Sequence, residues 1–338
     1  MRTLRRVASM STLTLKQAEA LVARALVRNR TSEGNACSVA RALVAAEADG
    51  LKGHGLSRTP MYAAQAKVQK IDGLAVPQVS QPRPGLIAVD AAHGFAFPAI
   101  EAAEKPLPDA ARRQGIAAAA IRRSSHCGAA GQPVERLAAQ GLVALMFVNT
   151  PGAMAPWGGS RPVVGTNPVA FACPLPGRAP LVIDLSLSKV ARGNIALAKQ
   201  RGEKIPEGWA LDAAGRPTTD PDAALGGTMV PMGDAKGIAL ALVVELLAAG
   251  LTGSNYAAEA SSYLDADGPP PGTGQLIVAF DLGAPGADAV ARFGTLAAAI
   301  EAQPGARLPG ARRLKLRAQA QVEGLTISDA LLKEIEAV

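Results

Sequence analysis

The sequence predicts a mixed fold, α/β or α+β, on three observations. The opening of the chain repeats apolar residues at helical spacing, the stretch from 86 to 280 holds short β-like runs separated by Gly and Pro, and helical runs recur between and after them. At 338 residues, with 49% hydrophobic, 19% charged and 3% aromatic residues, the chain can bury a large core but cannot build it around rings. Its length favours two domains, at roughly 100 to 200 residues each.

Leu15, Ala18, Leu21, Val22, Ala25 and Leu26, then Val39, Ala40, Leu43, Val44 and Ala46, predict two helices between Thr14 and Asp49. Thr14 and Gln17 have capping-box spacing, Thr31-Ser32-Glu33-Gly34 supplies a break and a second N-cap, and Gly50 ends the hairpin. A third helix is expected over 60–68, then a Pro-rich connector over 76–85. Strands are expected at 86–89, 116–121, 142–148, 169–172, 181–183 and 276–280, with helices at 99–114, 133–140 and 237–251. Residues 192–232 read as loop, and 287–303 and 327–338 as helical. No internal repeat is present.

The longest apolar run, 238–251, contains Glu245 and falls short of the roughly 20 residues that cross a bilayer, so no membrane span is expected. Arg2, Arg5 and Arg6 have no apolar segment behind them, and no secretory signal is expected. Cys37, Cys127 and Cys173 form no CxxC pair and fit a reducing compartment, with cytoplasm as the expectation. The net charge of +7 includes three Arg in the first nine residues and gives no case for a nucleic-acid partner.

Two of the three histidines stand among glycines, in Gly53-His54-Gly55-Leu56-Ser57-Arg58 and Ser124-Ser125-His126-Cys127-Gly128-Ala129-Ala130-Gly131. Glycine leaves an imidazole uncrowded and lets a ligand approach the backbone, although a histidine in a turn also serves simply to satisfy local backbone groups. His54 and Arg58, four apart, would share one side of a helical turn. That pair suits a small carboxylate substrate: Arg holds the carboxylate and His gives or takes a proton near neutral pH. His93 has no charged neighbour in sequence and reads as structural; Cys127 reads as a small polarizable filler rather than an activated thiol.

Neither GxGxxG after a strand nor GxxxxGK[ST] occurs, so a dinucleotide would bind outside a Rossmann scaffold. Candidate phosphate loops are 126–131, Gly158-Gly159, Gly165-Thr166-Asn167-Pro168 and Gly233-Asp234-Ala235-Lys236-Gly237, where Lys236 opposes a helix dipole and invites an anion. The basic cluster Arg307, Arg312, Arg313, Lys315 and Arg317 is either a solvated face, a site for a phosphate-rich partner or a contact for the 2′-phosphate of NADP. It lacks the interleaved aromatics of single-strand binders. HExxH, paired Cys and clustered His are absent, and no metal site is expected.

Taken in order, 53–58, 125–131, Asn149 through Gly158-Gly159, 165–168, Asp184 to Ser188, Lys236-Gly237 and 307–313 resemble the malate/L-lactate dehydrogenase family from about Leu13 to the C-terminus. The resemblance implies a non-Rossmann nicotinamide-binding domain on a largely antiparallel sheet (81–286), a helical domain formed by both chain ends (10–80 with 287–338), and a homodimer. Within the family, 236–253 most resembles the Δ1-piperideine-2-carboxylate and Δ1-pyrroline-2-carboxylate reductases. Carried over, His54 is the proton donor, Arg58 the carboxylate clamp and Thr166 a substrate contact. His126, Cys127, Gly128, Ala129, Ala130, Asp184, Leu185, Ser186, Ala235, Lys236, Arg307, Arg312 and Arg313 would line the cofactor. Two departures stand out: Gly53 replaces a serine thought to relay charge to the histidine, and Asp234-Ala235 replaces a Gly and a His.

The expected activity is therefore NADPH-dependent reduction, with NADH as the alternative cofactor, of a cyclic imine carboxylate to L-proline or L-pipecolate. The same-class alternative is a 2-hydroxy-acid dehydrogenase acting on malate, lactate, ureidoglycolate or a sulfonated analogue. A catalytically silent dimer is the rival from another class.

Overall fold

The computed structural model describes residues 9–283 and 288–338. The N-terminal arginines at 2, 5 and 6 and the expected domain boundary at 286/287 lie outside the described residues.

The chain opens with strand β1 (Met10–Leu13), followed by α1 (Leu15–Arg28) and α2 (Glu33–Ala48). Thr14 and Gln17 form the reciprocal capping box, and Ser32 caps α2 through the Asn35 N–H. After two short 3₁₀ turns comes α3 (Thr59–Lys67), with Pro60 in its first turn. Then follow β2 (Gln78–Arg83), β3 (Leu86–Asp90), α4 (Ala96–Glu104), α5 (Leu107–Gln114), β4 (Ile116–Ser124), α6 (Gly131–Ala138), β5 (Leu142–Val148), β6 (Val169–Leu175) and β7 (Arg178–Leu185).

A small outlying unit comprises α7 (Arg192–Arg201), β8 (Ala210–Leu211), β9 (Pro217–Thr218), α8 (Pro221–Leu225) and β10 (Thr228–Met229). The chain ends with α9 (Ala235–Glu245), β11 (Thr273–Asp281), α10 (Ala289–Glu301), α11 (Ala311–Glu323), β12 (Leu325–Ser328) and α12 (Asp329–Ala337).

The main sheet has the order β2-β3-β4-β11-β5-β6-β7, and every neighbouring pair except β3·β4 is antiparallel. On β5 the buried residues alternate as Leu142, Ala144, Met146 and Val148. They meet Ala117, Ala119 and Ile121 of β4 and Ile277 and Ala279 of β11 in one core under α4, α5 and α6. With so few rings, alanines let the helices approach the sheet closely, while each buried Leu or Ile contributes about 1.5–3 kcal/mol.

A second core joins α1, α2 and α3 to Ala320, Leu325, Ile327 and Ile335 from the far end of the chain. β1 pairs antiparallel with β12, Met10 opposite Ser328, and stitches the two termini together. α10 instead packs on the sheet edge, where Ala297 meets Leu175 and Leu308.

Four expectations need correction. The Pro-rich connector contains edge strand β2, fully exposed, with Pro82 seated in a register irregularity where no N–H is required. The helix expected at 99–114 is two helices, because Pro106 cannot donate into the first. The 192–232 loop folds around Ile195, Ile205, Ala210, Ala224 and Met229, in strands of two residues that carry no visible alternation. The stretch between the helical runs expected at 287–303 and 327–338 is not left without structure but holds α11, which ion pairs from Arg317 anchor on one side and Ala320 on another through the second core.

No helix among the described residues is long and apolar enough to cross a membrane, and no group of three metal-ligating side chains occurs among them.

Candidate active site

His54 and Arg58 do not share one helical turn. Two 3₁₀ turns, Lys52–His54 and Leu56–Arg58, meet at Gly55. Gly55 is required because a Cβ there would collide with the Glu47 carboxylate, which accepts the Leu56 N–H at 3.0 Å. Glu47, buried in α2, thus pins the segment from below. Arg58 folds back, its Nε donating to the Gly53 carbonyl at 2.7 Å. Ser57 donates to the Lys52 carbonyl at 2.7 Å and so does not orient His54.

The His54 ring stacks on His126, with centroids 5.3 Å apart and planes 13° from parallel. His126 comes from the loop between β4 and α6. Its Nδ1 pairs with the Tyr62 hydroxyl at 2.5 Å, and its ring meets Tyr263 at 5.2 Å. Tyr62 lies one turn beyond Arg58 on α3, under Phe95 and Phe97.

Burial and, second, the Arg58 charge push the His54 pKa down to about 4. The same two causes, with His54 as a third, hold His126 well below the ordinary imidazole range. Burial raises Tyr62 and Tyr263, so both are neutral phenols. With Tyr62 as the donor to Nδ1, the assignment that suits a neutral phenol, the His126 proton sits on Nε2. At neutral pH the site therefore presents two uncharged imidazoles beside one guanidinium.

A series of hydrogen bonds leads away from this pair. The Gly131 N–H, first in α6, donates to Asp184 Oδ2 at 2.7 Å. Asp184 keeps solvent access, yet burial among neighbours raises its pKa, opposed by the Gly131 N–H and then by Arg313. Ser186 Oγ donates to the Thr166 carbonyl at 3.4 Å, and the Leu187 N–H donates to the same oxygen at 2.8 Å. The Leu187 carbonyl accepts from Met232, just before the exposed N-terminal turn of α9 that carries Ala235 and Lys236. Hydrogen bonds thus link loop 126–131 to Asp184, the 184–187 segment to Thr166, and that segment to the turn before Lys236.

Arg313 joins through an ion pair with Glu135 at 3.2 Å and leaves its Nε buried without a partner among the described residues. That orphan donor and the loop opening α6 fit an anionic cofactor. Arg307, Arg312 and Leu185 are exposed. Arg317 is committed elsewhere, to Asp49 at 2.7 Å and Glu135 at 2.8 Å.

Burial first, and the Asp184 charge second, push the Cys127 thiol up to about 12, which fits a filler rather than a nucleophile. His93 stands beside Arg123 and Asp90, neighbours that local sequence does not reveal. Its backbone, at φ +61, bonds to the Arg123 carbonyl and the Asp72 N–H, a structural role.

Residue types and spacing missed Tyr62 and Tyr263. The first was accessible, because Tyr62 follows Arg58 by one helical turn in a chain with three tyrosines; the second arrives from a distant loop and had no local signal. Lys70, fully buried, also went unnoticed. Its Nζ donates to the Ser262 carbonyl at 2.8 Å, the Asp265 carboxylate at 2.9 Å and the Asp267 carbonyl at 2.5 Å, clamping the Tyr263 loop.

The profile of a family described as malate/L-lactate dehydrogenase matches residues 13–336. A protein of Chromohalobacter salexigens named (2R)-3-sulfolactate dehydrogenase (NADP(+)) is 52% identical over 96% of this chain and 97% of its own. A Pseudomonas aeruginosa protein named Δ1-pyrroline-2-carboxylate/Δ1-piperideine-2-carboxylate reductase is 41% identical over 96% of this chain and 98% of its own. The crystal structure of Δ1-piperideine-2-carboxylate reductase from Pseudomonas syringae pv. tomato superimposes with a TM-score of 0.92 at 38% identity, covering 97% and 99% of the two chains.

Proposed function

Because the chain belongs to the malate/L-lactate dehydrogenase family, we propose that it is an NADP-linked dehydrogenase of a short 2-hydroxy acid of the 3-sulfolactate kind. That the chain is a nicotinamide-dependent oxidoreductase follows from relatives that match it end to end. The observation that carries the finer reading is the 52% identity, over nearly the whole chain, to a protein named for (2R)-3-sulfolactate and NADP(+), and the stacked, neutral His54–His126 pair beside Arg58 suits the chemistry.

Oxidising a hydroxy acid releases one proton, and a neutral imidazole is the group that takes it. Arg58 clamps the carboxylate, Thr166 contacts the substrate, His54 removes the hydroxyl proton, and the Nε2–H of His126, its tautomer set by Tyr62, donates a hydrogen bond to the reacting oxygen. A bound nicotinamide supplies the hydride acceptor. His126 to Ala130, Asp184 to Ser186, Ala235, Lys236, Arg307, Arg312 and Arg313 would hold that cofactor. The unpartnered Arg313 Nε and the name of the 52% relative support NADP over NAD.

A second reading, reduction of Δ1-pyrroline-2-carboxylate or Δ1-piperideine-2-carboxylate, has the support of the 41% relative and the 38% structure. We place it second because the 52% relative carries the hydroxy-acid name. We also propose a cytoplasmic homodimer; the free cysteines suit the compartment, and the exposed Leu240, Val243, Leu246 and Leu251 on and after α9 suit a partner.

The test is NADPH oxidation with sulfopyruvate, pyruvate, oxaloacetate and both cyclic imines, and NADP⁺ reduction with the hydroxy acids. A kcat/KM highest for a 2-oxo acid supports the first reading, and one highest for a cyclic imine replaces it with the second.

A further inference from the structure

The site described so far leaves one buried carboxylate without a task. Glu245, on α9, is 4% exposed. Its Oε2 accepts from Asn167 Nδ2 at 2.7 Å, and its Oε1 accepts the Ala257 N–H at 2.5 Å and Asn149 Nδ2 at 3.5 Å.

Both amides are committed further. Asn167 Oδ1 accepts the Thr150 N–H at 3.2 Å, while Asn149 Oδ1 accepts the Gly274 N–H at 2.7 Å and its Nδ2 donates to the Asn255 carbonyl at 2.8 Å. One carboxylate therefore ties together the loops at 149–150, 165–167 and 255–257. The second of these carries Thr166, whose N–H donates to Thr150 Oγ1 at 2.9 Å. The third leads to Tyr263, against His126.

The backbone is built around this knot. A Cβ at Gly165 would collide with the Thr150 carbonyl and Asn167 Oδ1, and Asn167 itself holds φ +38. Directly after Glu245 the helix opens into a π turn, Leu246–Gly250, a distortion that concentrates at functional sites.

We propose that Glu245 is a positioning residue, fixing the Thr166 loop and holding the loop that carries Tyr263 against His126, and so setting how tightly the small acid is held. The proposal rests on the reading of Thr166 and the imidazole pair as the substrate site. Only a carboxylate accepts from all three donors at once; in Glu245→Gln an amide N–H faces another N–H, and at least one buried donor loses its acceptor.

The experiment compares the intact wild-type protein, Glu245→Gln, Glu245→Asp, Thr166→Val and the double variant Glu245→Gln/Thr166→Val. The readouts are steady-state kinetics with the best acid of the wild-type panel, NADPH binding by fluorescence, and amide hydrogen exchange. Glu245→Gln is expected to raise the KM for the acid about tenfold or more, with kcat and NADPH affinity within about threefold. Glu245→Asp, which keeps the charge but not the reach, falls between. The double variant is no more than about twofold worse than the worse single one, because both changes act on one contact.

Exchange at the Thr166 and Ala257 amides should speed up at least tenfold in Glu245→Gln. An unchanged KM in Glu245→Gln or Glu245→Asp, or effects that multiply in the double variant, overturns the proposal. A wild type inactive on every acid overturns the functional reading instead, and unchanged exchange at those two amides then overturns this one independently.

Discussion

His54 and His126 lie ring over ring, 5.3 Å between centroids, although one comes from the turn after α2 and the other from the loop before α6. At that distance, each would repel a proton on the other, and the Arg58 guanidinium adds to the effect on both. The fold thus keeps two imidazoles uncharged at the pH where free histidine is partly protonated.

The first prediction concerns stability. In the unfolded chain these histidines take up protons near pH 6.5, whereas folded His54 resists until about 4. Between those values the unfolded state binds more protons, so stability falls as pH drops through the window. Buried carboxylates with raised pKa, Glu47 and Glu104 among them, act in the opposite sense, so the informative quantity is a difference. The wild type should lose more Tm between pH 7.5 and 5.5 than a His54→Gln/His126→Gln variant; equal losses would refute the account of the pair.

Arg58 is predicted to act twice. Arg58→Gln should raise the KM for the acid about tenfold or more by removing the carboxylate clamp. It should also move the acid limb of the pH–rate profile upward, because the charge that helps hold both imidazoles neutral is gone. Steady-state rates from pH 5 to 9 check both, and an unmoved limb would remove Arg58 from the electrostatics of the site.

Much of this was legible in the chain. The capping box at Thr14 and the β5 strand at 142–148 were read from local pattern, because each is specified by neighbours a few residues apart, whereas the helical turn expected to join His54 and Arg58 is two 3₁₀ turns meeting at Gly55. The stacked partner of His54, the Tyr263 wall and the Glu245 knot were not, because each is made by loops joined across the sheet, where spacing along the chain carries no information. Glu245 did announce itself, as a lone carboxylate inside an apolar run, but there it served only to argue against a membrane helix. The basic run near the end concealed a division: Arg317 is locked in ion pairs, whereas Arg307 and Arg312 are exposed.

Thiol chemistry gives a third prediction. Cys37 is exposed, while Cys127 is buried with its thiol held at about 12. Iodoacetamide at pH 8 should label Cys37 first, and the singly labelled protein should keep its activity. Rapid loss of activity on labelling of Cys127 would show a reactive thiol in its place.

The fourth concerns the junction of α2, α6 and α11. Arg317 reaches Asp49 at 2.7 Å and Glu135 at 2.8 Å, and the Asp49 side chain has no solvent exposure. Arg317→Ala leaves that carboxylate buried, with Arg313 at 3.9 Å as its remaining cation. A loss of about 3 kcal/mol is expected by denaturant unfolding, the lower end for a broken buried pair; a loss under about 0.5 kcal/mol would place the network among surface ion pairs.

The most direct test of the central claim is kcat/KM for NADP⁺-linked oxidation of 3-sulfolactate by the wild type and by His54→Ala, with NADPH affinity measured on the same preparations. A group that takes the substrate proton contributes about 10² to 10⁴ in rate, so the variant should fall by at least about tenfold in kcat/KM while binding NADPH as before. Equal kcat/KM values in the two proteins would contradict a proton-transferring role for His54 in the stacked pair.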